Sequence, residues 1–73
     1  MKPYFYIDGS DLMCELGAET YKLGELQTNY SLNSFVDLYE LNYLEELYGQ
    51  VGFTQDILDE AIRFGVNNGY SVK

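Results

Sequence analysis

At 73 residues, 47% hydrophobic, 16% aromatic and 22% charged, the chain has the composition of a single globular domain, residues 1–73, and not of a disordered tail. One cysteine and no histidine exclude an internal disulfide, an ordinary zinc site and both Ser–His–Asp and Cys–His catalysis, so no enzyme and no cofactor is expected. Twelve acids against Lys2, Lys22, Arg63 and Lys73 give a net charge of −8, which argues against direct contact with nucleic acid or an anionic membrane and for a protein partner with a basic surface.

In chain order, Pro3–Asp8 is β-rich and Gly9-Ser10 suits a two-residue hairpin turn of type II′. Asp11–Leu16 alternates, Gly17-Ala18 offers a second turn, and Glu19–Leu26 follows. Counting outward from the turns pairs Ile7 with Leu12, Phe5 with Cys14, Cys14 with Tyr21 and Leu12 with Leu23, which places all six on one face of a three-stranded meander. Tyr4, Tyr6, Met13, Glu15, Thr20 and Lys22 fall on the other face. A competing reading makes Asp11–Leu16 a short helix, capped by Ser10 or Asp11 and stopped by Gly17. Cys14 falls on the inward face without a basic neighbour, as a buried structural thiol would. Asp8-Gly9-Ser10-Asp11 lacks the ligand spacing and closing glutamate of a calcium loop and is read as a turn.

Gln27–Asn33 is a polar connection, after which Ser34 and Asp37 form the acidic variant of a capping box and open a first helix over Phe35–Gly49. Its side chains do not segregate: Val36, Tyr39, Tyr43 and Leu47 line one side, and Leu38, Leu41, Leu44 and Tyr48 line another. The helix therefore has more apolar surface than a three-stranded sheet covers, and the second stripe needs a cover: the second helix of the same chain is the plainest, a foreign protein or another copy the sharper ones, and burial against another copy predicts a homodimer. Gly52-Phe53-Thr54 breaks the helices, with Thr54 as N-cap of Gln55–Asn68. There Ile57, Leu58, Ala61, Ile62, Phe64 and Gly65 occupy one arc, and Asp56, Asp59, Glu60 and Arg63 the opposite one. Asn68-Gly69 ends this helix with a left-handed glycine, Tyr70 folds back on the last turn, and Tyr70–Val72 can add a brief edge strand. The expected fold is thus α+β, ordered β-β-β-α-α.

Asp37, Glu40, Glu45, Glu46, Asp56, Asp59 and Glu60 are seven acids with no basic residue between the first and the last. Eight tyrosines are more than so small a core encloses with satisfied hydroxyls, and tyrosine suits interfaces through its large area, few rotors and polar tip. The expected partner-binding surface is Tyr39, Glu40, Tyr43, Glu45, Glu46 and Tyr48, with Asp56, Asp59 and Glu60 beside it. It is equally the pattern of an acidic, solvated surface with tyrosines at the rim of a core.

With this charge, the segment FVDLYELNYLEELYG and no catalytic constellation, the chain resembles in general character the small acidic proteins that phages and mobile elements direct against host restriction, CRISPR or related defence. The resemblance implies a cytoplasmic, non-enzymatic inhibitor that occupies a functional surface of a defence protein by acidic steering or partial mimicry of DNA. An antitoxin or immunity protein for a basic nuclease, and a structural or regulatory oligomerisation module, remain the alternatives. No apolar run reaches the ~18 residues of a membrane-spanning helix, MKPYFYIDGSD lacks the apolar core of a signal peptide, and a lone cysteine agrees with the reducing cytosol.

Overall fold

Both predicted glycine turns form. In a computed structural model, which describes residues 2–28, 34–49 and 52–72, β1 (Tyr4–Asp8), β2 (Asp11–Leu16) and β3 (Glu19–Thr28) make an antiparallel meander. Gly9 and Gly17 hold φ of 65° and 68° at the first position of each two-residue turn, where an L side chain is strained. Asp11–Leu16 is strand and not helix, and Ile7 faces Leu12, Phe5 faces Cys14 and Cys14 faces Tyr21 as counted from the turns.

The register departs at one place. Leu12 faces Gly24, because a β-bulge between Leu12 and Met13 leaves Leu23 as an extra residue on β3. The bulge shifts the alternation of β3 by one, so Leu23 and Leu26, three apart in sequence, are both buried on the inner face. Beyond the bulge a Cβ at Gly24 would overlap the backbone of Asp37 and Leu38, so this position requires glycine for close approach.

That close approach comes from an element absent from the expected order. Ser34–Leu38 is a strand, β4, paired antiparallel with the far half of β3 from Gly24↔Leu38 to Thr28↔Ser34. Ser34 and Asp37 therefore form no capping box, and the first helix, α1, spans only Leu41–Tyr48. Gln27 and Thr28 of the expected polar connection belong to β3, and residues 29–33, including Tyr30, lie outside the described residues. The three-stranded expectation is thus corrected to four antiparallel strands plus β5 (Ser71–Val72), the brief edge strand, which runs parallel to β4.

The helix α2 spans Gln55–Asn67 and is bounded as its sequence predicts. The Ile57 amide donates to Thr54 Oγ1 at 3.3 Å. At the other end Gly69 takes φ of 92°, its amide donates to the Val66 carbonyl and the Tyr70 amide to the Gly65 carbonyl, the paired bonds of a Schellman motif. Leu58, Ala61 and Gly65 are buried, whereas Asp56, Asp59, Glu60 and Arg63 are exposed. The helix reaches β4 where Gly65 lies against Val36, and β1 where Phe64 meets Phe5 with ring centroids 6.0 Å apart. Both helices pack on the inner sheet face around Leu12, Cys14, Leu23, Leu26, Val36, Leu44, Phe53, Leu58 and Ala61.

Candidate protein-binding face on the first helix

Eight residues are too few for a helix that stands alone in water, so α1 depends on what it docks. Leu41, Leu44 and Tyr48, spaced i, i+3 and i+7, turn inward and Leu44 is fully buried. The stripe that needed cover is therefore met by the sheet of the same chain. At ~100° per residue the opposite face carries Asn42, Tyr43, Glu46 and Leu47, with Glu45 on the flank, and all five are exposed. Tyr43 and Leu47, one turn apart, retain 48% and 51% of their accessible surface.

Tyr48 is the member of the expected surface that the fold removes from it. Its ring meets Tyr21 edge-on at 5.0 Å and lies 6.2 Å from Phe53, which itself meets Tyr21 at 5.1 Å. Its hydroxyl accepts from the Lys22 amide at 3.1 Å and donates to the Lys22 carbonyl at 3.4 Å. Lys22 lies where β4 has already ended, so a phenol continues the hydrogen-bond ladder where a strand is missing. Tyr48 is a core and ladder residue.

Tyr39 is half-buried just ahead of α1, and its ring meets that of Tyr43 edge-on at 5.2 Å. Its hydroxyl bonds the Lys22 side chain on the outer sheet face. The Lys22 ammonium also pairs with Glu25 at 3.0 Å and Asp11 at 3.2 Å, and these bonds, Glu25 first, raise its pKa. Gln27 donates to the second Glu25 oxygen at 3.0 Å. This cluster was not anticipated from the sequence, although alternation already places Lys22 on the outward face beside β2.

Glu40, Glu45 and Glu46 around α1, and Asp56, Asp59 and Glu60 on α2, are all exposed. Among the described residues Lys22 makes the ion pairs, and neither these six carboxylates nor Arg63 takes part in one. Asp59 accepts a hydrogen bond from Gln55 at 3.1 Å. Asp8 and Asp11 flank the first turn, but among the described residues no three acidic or thiol groups converge as metal ligands do. Cys14 is fully buried and its thiol is pushed up to about 11, by desolvation first and by Glu15 second, so it is a structural thiol. No helix of the described residues is long and apolar enough to cross a membrane.

The arrangement offers an aromatic and aliphatic pair on a docked helix, flanked by carboxylates that make no ion pair among the described residues. Compared with known proteins, the chain matches no protein-family model, no curated protein and no solved structure.

Proposed function

We propose that the protein is a small, acidic, non-enzymatic inhibitor that binds a host protein, a nucleic-acid-processing or anti-phage defence component, by seating the outer face of α1 on a basic functional surface. The observation that carries this reading is the exposure of Tyr43 and Leu47 one turn apart, with Glu40 and Glu46 next to them and Glu45 on the helix's other flank, none of these carboxylates ion-paired among the described residues. Exposed aromatic anchors supply affinity, and surrounding carboxylates accelerate encounter with a cationic surface. Asp56, Asp59 and Glu60 add to the same negative field from α2.

The test is a tagged pull-down from nuclease-treated bacterial lysate, washed through a salt gradient, with the captured protein then titrated by calorimetry. Tyr43→Ala is expected to weaken that partner at least about tenfold with the fold retained. Glu45→Lys with Glu46→Lys is expected to slow association and flatten its salt dependence. Steep release by salt favours mimicry of DNA, and retention through high salt favours a tyrosine-centred contact. Unchanged affinity in both variants removes α1 as the binding face. A toxin encoded beside the gene and captured as the partner moves the reading to an antitoxin.

A further inference from the structure

The sheet has a bare edge. β1 pairs with β2 alone, so its second side carries amides and carbonyls that no strand among the described residues takes up. The two-residue turn makes Asp8↔Asp11 a hydrogen-bonded pair, and alternation makes Tyr6↔Met13 and Tyr4↔Glu15 such pairs too. The groups of Phe5 and Ile7 therefore point to the open edge, together with the Pro3 carbonyl. A strand edge of this kind is a template for another strand unless charge or proline blocks it. Here the guards at its two ends, Lys2 and Asp8, are of opposite sign, both are exposed, and both have the parity of Tyr4 and Tyr6 on the outer face.

We propose that β1 is a homodimerisation edge, pairing antiparallel with β1 of a second copy about a twofold axis at Phe5 to make one continuous sheet. In this register Phe5 exchanges both backbone bonds with Phe5 of the second copy, and each Ile7 amide donates to the Pro3 carbonyl opposite, while Pro3, which has no N–H, leaves the Ile7 carbonyl to water at each end of the four-bond ladder. On the outer face Lys2 stands across from Asp8 of the second copy, and Tyr4 across from Tyr6. Tyr4 is the most exposed large apolar side chain among the described residues, at 61%, and already stacks on Tyr6 at 5.9 Å, so pairing turns two stacked tyrosines into a ladder of four. A parallel copy sets Lys2 on Lys2 and Asp8 on Asp8, and an antiparallel copy shifted to centre on Tyr6 sets Asp8 against Tyr4 and leaves Lys2 without an acid. The charges thus select one copy orientation and one register. The inference is independent of the face on α1.

The test is sedimentation from micromolar to millimolar concentration near physiological salt, on the wild type, Lys2→Glu, Asp8→Lys and the double variant, with hydrogen exchange at Phe5 and Ile7. Within one chain Lys2 and Asp8 are six residues apart on an extended strand, about 20 Å, beyond the range of appreciable mutual interaction. Each single swap converts both symmetric contacts into repulsions and is expected to weaken the dimer about tenfold, and the double swap to restore it. Protection of the Phe5 and Ile7 amides is expected to rise with concentration. Thermal melts show that each variant folds. A wild type that stays monomeric, with both amides exchanging freely throughout, overturns the proposal and leaves the edge to a foreign strand. A dimer indifferent to both single swaps, or not restored by the double, overturns it by placing the interface elsewhere.

Discussion

Replacing Gly65 by alanine sets two physical effects of opposite sign against each other. Within a helix, alanine is favoured over glycine by ~0.8–1 kcal/mol, so propensity alone makes Gly65→Ala stabilising. A Cβ there, however, overlaps Cγ2 of Val36, a β-branched side chain that is only 4% exposed on a strand held on both sides. Val36 has one stiff torsion and no free space into which to turn, so the overlap costs about 1–3 kcal/mol as overpacking. The net expectation is a loss of about 1 kcal/mol, a fall in melting temperature of about 4–8 °C for a chain of this size. In a Val36→Ala background both γ-methyls are gone, a change that itself costs about 2–3 kcal/mol. There the methyl introduced at position 65 enters the vacated space, and Gly65→Ala is expected to stabilise by about 1 kcal/mol. The assay is urea denaturation of the four proteins of this cycle. A stabilising Gly65→Ala in the wild-type background, or effects in the two backgrounds that agree within the ~0.5 kcal/mol of ordinary additivity, refutes the packing of α2 on β4 through this glycine.

Tyr48→Phe keeps the aromatic cluster but leaves the Lys22 amide and carbonyl without the phenol that both engage; a loss of about 1–2 kcal/mol is expected, with faster exchange of the Lys22 amide, and an unchanged melt and exchange rate would show the hydroxyl to be incidental. The Cys14 thiol is raised from 9.0 to about 11, so the native state holds its proton more tightly than the unfolded state does. Its stabilising contribution is therefore complete below about pH 9 and is lost as pH rises through about 11. Denaturation of the wild type and Cys14→Ala across this range should show the wild type losing stability more steeply, and native protein at pH 8 should resist alkylation that proceeds once urea is added. Rapid alkylation of the native protein at pH 8 contradicts the burial of this side chain.

The apolar pattern of Ser34–Leu38 fits a strand and a helix alike. Val36 and Leu38 are two apart, as a strand requires, yet at helical spacing Leu38 also continues the series Leu41, Leu44 and Tyr48, and Val36 the series Tyr39, Tyr43 and Leu47. A short apolar run is compatible with either period. What decides it is the edge of β3 turned away from β2, which from Gly24 to Thr28 takes Ser34–Leu38 as its partner. The same difference redistributes the candidate site. With the helix reduced to Leu41–Tyr48, the apolar stripe shrinks to Tyr43 and Leu47 outside and closes over Leu44 and Tyr48 inside.

The sequence by itself determined the elements whose causes lie within a few residues of one another. Gly9 and Gly17 set two hairpins and with them the pairing of Phe5 with Cys14 and Cys14 with Tyr21; Thr54 and Gly69 bounded α2, whose 3.6-residue period separated Leu58 and Ala61 from Asp56, Asp59 and Glu60. It also determined the negative charge of both outward helix faces. Tertiary structure alone decided that Ser34–Leu38 is a strand, that Leu23 is bulged so that Gly24 admits the β4 backbone, that Tyr48 serves as a ladder partner, and that Lys22 gathers Asp11, Glu25 and Tyr39. Turn and cap preferences are properties of local φ, ψ and side-chain reach, whereas these other choices depend on which backbone groups and side chains another strand or helix brings alongside.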